Sequence, residues 1–458
     1  MAIRLDTKLE LSDVESYKSS SLEVLKQNIP EERDIKKIIE KIDEINKYLN
    51  LDKTKDPKDI YTFDDKSMPE EEIKKAKNII LKGKLFFEHA CAGEATRLGL
   101  GTKYLINIKK ELTSEKIAEL ITEETSEETT SEKVIEQSGC RPEELLSLSL
   151  GTRHMMQLSF DISNLAKKNK KDPKEVLSIQ KMILILNEKS YEAITADFRE
   201  NNFFGFDPKN IFFMVQKSFH GINIDKNNDF FYDENSPKRL HNHGQMVMQE
   251  TMDDEIFFLD PENNYEKKYL KSQEFGEVLK GCEDKISYNI EDIGYLTSSL
   301  DYASLATALK MKEEGYNMMM ELVLNNPIKP HKGASVYYDP VIGKNVMIET
   351  HQLGGMKPED MKFMNKNFNH FPDPYIAWSK LKEKGLPMPI AVKDDFIYFA
   401  PVQGDINFLV KTQFVKRKEL THIKNWKSPV TTPQTILAMK NQDAQLGFKE
   451  HIKYIKNN

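Results

Sequence analysis

The sequence is short of cysteine, tryptophan and long apolar runs. Its three cysteines among 458 residues, Cys91, Cys140 and Cys282, are odd in number and far apart, which argues against a disulfide framework and fits a reducing compartment. Apolar runs such as 182–186 last five residues, far below the ~20 that cross a bilayer. The first sixteen residues lack the apolar core of a secretory signal. Neither a membrane span nor an export signal is expected, and the location reads as cytoplasmic. No third ligand stands at zinc spacing from His241 and His243, and no finger spacing or glycine-interleaved aromatic motif accompanies the lysines. Zinc and nucleic acid are not expected as partners.

What is present describes a globular chain of two or three domains: 39% apolar, 9% aromatic and 30% charged residues, with a net charge of −7. The charge is uneven. Residues 111–144 alone carry −8, and Glu123 to Ser131 hold nothing apolar to bury. That stretch reads as a mobile acidic surface loop, the alternative being an acidic binding tail. From Lys411 onward the balance reverses to +7.

Periodicity divides the chain further. Between Arg33 and Leu49, Ile35, Ile38, Ile39, Ile42, Ile45, Tyr48 and Leu49 follow helical spacing, predicting one packing helix, and 52–65, broken by Pro57, reads as a linker. Beyond it, 85–87, 182–186, 211–215, 256–259, 334–338 and 346–348 are apolar runs of strand length. Helical stretches such as 190–201 and 300–314 lie between several of them. Alternation of this kind predicts an α/β domain with a mostly parallel central sheet, with ligands at the carboxyl ends of the strands.

The first strand end is chemically suggestive. The run 84–90 leads into Cys91-Ala-Gly-Glu-Ala-Thr-Arg-Leu-Gly99 and then Lys103. Small residues at 92, 93 and 95 let a backbone approach an anion, although a tight turn explains them equally well. A Walker A loop is excluded, because the GK[ST] ending is missing. Ala92 to Gly99 with Lys103 resembles the GGxGTRLG…PK signature of the UDP-sugar pyrophosphorylases, with Ala92 and Ala95 at two glycine positions and Thr102 where the proline stands.

Further segments resemble that family in the same order. They are Leu186-Asn-Glu-Lys-Ser190, Asn202 to Pro208 with Ile211 to Gln216, His241-Asn-His-Gly-Gln245, Asn289-Ile-Glu-Asp292, Lys329-Pro-His-Lys-Gly333, Gly343 to Leu353, Met364-Asn-Lys-Asn367 and Gln413 to Lys416. Together they cover most of residues 80–420. The resemblance implies a nucleotide-diphospho-sugar transferase (glycosyltransferase-A-like) fold. It would carry a helical segment 1–75, a catalytic domain 76–425 with an acidic insertion at 108–149, and a small C-terminal segment 426–458.

It also implies a reaction, in which a sugar 1-phosphate oxygen attacks the α-phosphorus of UTP and pyrophosphate leaves. By resemblance, Arg97, Lys103 and Lys416 are the catalytic cations and Asp292 holds Mg2+. Ala92, Gly93, Glu94, Ala95, Thr96, Asn187, Gln216, His243 and Gly244 bind the nucleotide, with Asn187 or Gln216 reading the uracil edge. Lys332, Gly333, Glu349, Asn365 and Asn367 bind the sugar. Lys416 has Arg417 and Lys418 beside it, so its register is open by one or two residues. The histidine at 243 favours glucose 1-phosphate, with an N-acetylhexosamine 1-phosphate as the alternative. The altered glycines leave open a nucleotide-sugar-binding protein without full catalysis. A glycosyltransferase is disfavoured because no D-x-D pair precedes Asp292. Only about forty residues follow Lys416, too few for a C-terminal β-helix, so a monomer is expected.

Overall fold

The computed structural model describes residues 8–29, 34–95, 98–290, 293–325, 333–420, 426 and 428–457; at 293, 294, 358 and 367 the side chains are left undescribed. The first eight described strands are β1 (Tyr61–Phe63), β2 (Leu85–Ala90), β3 (Lys181–Asn187), β4 (Ile211–Gln216), β5 (Ile222–Ile224), β6 (Phe230–Tyr232), β7 (Ile256–Asp260) and β8 (Glu266–Leu270). The rest are β9 (Asp284–Asn289), β10 (Met318–Leu324), β11 (Ser335–Asp339), β12 (Lys344–Ile348), β13 (Phe363–Pro372), β14 (Ile390–Lys393), β15 (Phe396–Phe399) and β16 (Thr412–Arg417). A twelve-stranded sheet runs β1-β16-β10-β13-β9-β2-β3-β4-β7-β8, with β11 beside β13 and β12 beside β11. A four-stranded sheet, β14-β15-β5-β6, stands apart from it.

The α/β class matches the expectation, but the sheet is mixed, not mostly parallel. In the large sheet β9-β2-β3-β4 and β10-β16-β1 pair in parallel, whereas β13 is antiparallel to β10, β9 and β11, and β7 is antiparallel to β4 and β8. The physical reason lies in the connections. β7 to β8 and β11 to β12 are joined by turns too short for the crossover that parallel neighbours require. The central strands read as continuous apolar runs because both faces are covered. Ile183, Ile185 and Phe86 join one core, and Leu184, Leu186 and Phe87 the other.

Three local expectations are corrected. The helix predicted over 33–49 is two short ones, Ile35–Glu40 and Ile42–Asn46, interrupted at Lys41. Tertiary bonds override the periodicity: Asn46 exchanges hydrogen bonds with the Ile390 backbone, and the Tyr48 hydroxyl donates to Asp339 at 2.6 Å. The linker 52–65 contains β1, which pairs in parallel with β16. The acidic stretch is not a mobile loop but holds the helices Ser114–Thr125 and Ser131–Ser138, capped by Thr113 and Thr130. Its few apolar side chains, Ile117, Ile121 and Val134, sit at helical spacing and pack with Trp426, Ile436 and Met439. Charge counting hid that stripe. No described helix is long and apolar enough to cross a membrane.

Candidate active site

Most of the anticipated ligand-binding residues that are described meet at the carboxyl edge of the parallel strands. After β2 the chain folds back on itself. The Lys103 amide donates to the Gly93 carbonyl at 3.0 Å, the Ala95 amide to the Gly101 carbonyl at 2.7 Å, and Glu94 bridges to Thr102. From the end of β3, Asn187 donates its Nδ2 to the Ala92 carbonyl at 2.9 Å, while its Oδ1 accepts from the Ser190 amide and hydroxyl. Asn187 is therefore a staple of the loop. Lys103 is buried at the loop's far end. The Ala95 methyl is also buried, in an apolar cluster with Ile106 and Leu150. Neither Ala92 nor Ala95 has a positive φ, so neither position requires glycine. Glu94 is exposed and ion-pairs with Lys189 at 3.4 Å.

A buried bridge lies under this loop. The Tyr288 hydroxyl is 2.9 Å from both His89 Nε2 and His154 Nε2, and Tyr295 stacks on Tyr288 at 4.3 Å between ring centroids. Burial holds both imidazoles neutral, pushing His154 down to about 3.

The next strand end carries Gln216, which donates to the Asn242 carbonyl at 2.8 Å and so fixes the start of the helix Asn242–Gln249. Gly244 lies against the backbone of Pro401 and Val402, where a Cβ would come within 2.4 Å. This glycine serves close packing rather than φ. Beside it, the exposed His243 accepts a hydrogen bond at Nδ1 from the Gln403 amide at 3.1 Å.

Across the sheet, Leu322 of β10 stands opposite both Asn365 of β13 and Lys416 of β16. Directly opposed residues share a face, so Asn365 and Lys416 lie on one side and Glu321, Lys366 and Arg417 on the other. The three adjacent cations thereby separate. Arg417 binds Glu321 at 2.7 Å and pairs with Asp301 and Asp65, and the exposed Lys418 pairs with Asp64. Lys416 instead sits 5.6 Å from the Phe363 ring and makes no ion pair with a described residue. Asn365 is buried against Met347, the half-buried Glu349 follows β12, and Gly333 precedes β11. Thr96, Arg97, Asp292 and Lys332 lie outside the described residues, as does the side chain of Asn367. Asn289, the last residue of β9, stands beside Ala90.

Lys416 is four strand steps from Ala90, roughly 19 Å along the sheet, so a ligand touching both must be extended. Two other features are set aside. Ser304, His370 and Asp284 form a hydrogen-bonded Ser–His–Asp chain, but all three are fully buried, which leaves no path for a substrate to a nucleophile. A cavity of about 870 Å³ lies elsewhere, between the helices Glu70–Leu81 and Leu150–Lys168, and none of the anticipated site residues lines it. Sequence reasoning missed the segment Gln403–Phe408, which carries no motif, although the Gln403 side chain donates to Glu88 and Ser287 and its amide to His243.

No protein-family model matches the chain, and no curated protein matches it in sequence. Solved structures do. The UDP-N-acetylglucosamine pyrophosphorylase of Trypanosoma brucei, in complex with an inhibitor, superposes with a TM-score of 0.56 at 14% identity, covering 92% of this chain and 79% of that one. The fold is that of the UDP-sugar pyrophosphorylases. A mutant UDP-glucose pyrophosphorylase of Leishmania major in complex with UDP-glucose gives 0.53 at 10% identity, covering 90% and 77% of the two chains. A second mutant of that enzyme gives 0.51 at 11%, covering 87% and 75%.

Proposed function

We propose that the protein is a uridylyltransferase that makes a UDP-sugar and pyrophosphate from UTP and a sugar 1-phosphate. The observation that supports this reading is that the 91–103 loop, Asn187, Gln216, Asn365 and Lys416 lie along the same edge of one sheet, in a fold shared with UDP-sugar pyrophosphorylases. In the reaction a phosphate oxygen of the sugar 1-phosphate bonds to the α-phosphorus and the bond from that phosphorus to the β-phosphate bridge breaks. The attacking oxygen is already ionised, so the protein has only to orient the reactants and offset charge. The stapled loop orients the nucleotide, Lys103 and Arg97 meet its phosphates, and Lys416 meets the sugar phosphate. Asn365, Glu349 and their neighbours hold the sugar.

The metal we propose, by the resemblance at Asp292, is Mg2+, which ordinarily takes one or two carboxylates and completes its shell with phosphates and water. Asp292 would hold it, and when bound it would neutralise charge on the phosphates. Glucose 1-phosphate is the favoured acceptor and an N-acetylhexosamine 1-phosphate the alternative. The buried Ala95 methyl and the absence of a positive φ at Ala92 and Ala95 favour the catalytic reading over a catalytically impaired binding protein. Purified protein incubated with UTP, Mg2+ and each sugar 1-phosphate should release pyrophosphate and form the matching UDP-sugar. Binding of UTP without release, across all the sugars, would refute the assignment.

A further inference from the structure

Gln403 ties the chain leaving β15 of the small sheet to the large one. In the large sheet, Glu88 of β2, Ser287 of β9 and Asn369 of β13 stand directly opposite one another, so their side chains share a face. The buried Gln403 side chain lies across that row. Its Nε2 donates to Glu88 at 2.7 Å and to Ser287 at 2.8 Å, and its Oε1 accepts from Asn369 at 3.4 Å. Bonds to three strands fix where the backbone of Gln403 stands.

That backbone clasps the turn at 243–244. The Pro401 carbonyl accepts from the Gly244 amide at 2.9 Å, and the Gln403 amide donates to His243 Nδ1 at 3.1 Å. The approach is close enough that a Cβ on Gly244 would meet the Pro401–Val402 backbone. A backbone N–H can only donate, so Nδ1 of His243 must accept. An imidazole that accepts at Nδ1 is neutral and carries its proton on Nε2. The hydrogen bond from Gln403 thus decides which face of chemistry the exposed His243 ring offers.

We propose that Gln403 is a positioning residue for the nucleotide, holding His243 as its Nε2–H tautomer so that the ring meets the ligand as a hydrogen-bond donor. A donor there selects an acceptor, a carbonyl or phosphate oxygen, and leaves an amino group unpaired. Gln403, being buried, acts through His243 rather than on the ligand. The identity of the ligand rests on the uridylyltransferase reading, whereas the tautomer is a property of the free protein.

Two measurements test the proposal. Protein labelled with 15N-histidine is examined without nucleotide by long-range proton–nitrogen NMR at mildly alkaline pH, the His243 ring being assigned by its loss in His243→Ala. Wild type should show a pyridine-like Nδ1 and a pyrrole-like Nε2; the opposite tautomer, or an even mixture, overturns the proposal whatever the activity. Pyrophosphate release is then followed for wild type, Gln403→Leu, His243→Ala and the double variant. His243→Ala should raise KM for UTP about tenfold, the worth of one hydrogen bond, with kcat and the sugar 1-phosphate KM unchanged. Gln403→Leu should mix the tautomers and raise KM for UTP about three- to tenfold, yet add nothing in the His243→Ala background. Should Gln403→Leu fail to fold, Ser287→Ala, which removes one of its anchors, takes its place in the cycle with the same sign. An equal rise in KM for UTP with and without His243 would show that Gln403 only supports the sheet, and overturns the positioning role while turnover keeps the functional reading. Wild type that holds the Nε2–H tautomer but turns over none of the sugar 1-phosphates refutes the uridylyltransferase reading, and with it the ligand named for His243.

Discussion

Lys285→Met tests whether one buried cation holds two carboxylates inside the core. Lys285 on β9 is buried and touches Glu88 of β2 and, at 3.2 Å, Glu250 at the end of the helix Asn242–Gln249. Burial would raise Glu88, but Lys285 and its hydrogen bonds pull it below the usual range; burial and the Glu88 charge push Glu250 well above it. The wild-type cluster is thus one ionised glutamate, one protonated glutamate and one ammonium. Without the ammonium, Glu88 must also take a proton. At pH 7.5 that lies about three units above an ordinary glutamate, which at ~1.4 kcal/mol per unit comes to ~4 kcal/mol. Removing one partner of a buried ion pair usually costs about 3–5 kcal/mol, which agrees. With an unfolding entropy of ~2 cal/mol/K per residue over 458 residues, the melting temperature should fall by ~4 °C at pH 7.5.

The sign follows from linkage. A carboxyl raised in the folded state contributes stability that is present below its unfolded pKa and lost as pH rises toward the folded one. The deficit of the variant should therefore shrink to ~2 °C at pH 5.5 and widen at pH 8. Adding Glu88→Gln to Lys285→Met should abolish the pH dependence of the deficit. Thermal melts of the three proteins at the three pH values decide it. A deficit under 1 °C, or one that ignores pH, would show that the ammonium does not hold these carboxylates.

Three further outcomes are expected. Lys416→Gln should lower kcat by about 10²- to 10³-fold with an unchanged melting temperature, whereas Arg417→Gln should destabilise the fold through its pairs with Glu321, Asp301 and Asp65; steady-state kinetics and melts on both variants separate the neighbours. Gly244→Ala should cost about 1–3 kcal/mol in denaturant titrations, since its Cβ meets the Pro401–Val402 backbone. Burial depresses His154 and His241 to about 3 in the fold, so their stabilising contribution is present above the ordinary value and lost as pH falls toward 3; the unfolding free energy from urea titrations should be lower at pH 5 than at pH 7.5 by about 1–2 kcal/mol per histidine.

How much of this was legible depended on where each residue finds its partner. Strands β2, β3, β4, β7, β11 and β12 announce themselves as apolar runs. β9 does not, because Lys285 and Ser287 look like surface until Glu88, almost two hundred residues earlier, is brought beside them. β13, rich in asparagine and histidine, is hidden for the same reason: Asn369 reaches Gln403, and His370 lies between Asp284 and Ser304. The loop at 91–103 was visible through its small residues and order. The bonding of Gln403 was not, since its partners Glu88, Ser287 and His243 lie far from it in the sequence.

The mixed sheet bears directly on the site. In an all-parallel sheet every strand would offer its carboxyl end to the ligand, and β13 would present Phe371 and Pro372 there. Because β13 runs against β10 and β9, its amino-terminal residues reach that edge instead, and Asn365 falls in line with Leu322 and Lys416. A register slip of one residue between β10 and β16 would exchange the faces of Lys416 and Arg417. It would bury the unpaired lysine against Glu321 and turn the arginine away from its acidic partners. The ion pairs of Arg417 with Glu321, Asp301 and Asp65 therefore do more than stabilise an edge strand. They fix the register that leaves Lys416 on the face of Leu322 and Asn365, so the chemistry proposed for one cation depends on the packing of the next.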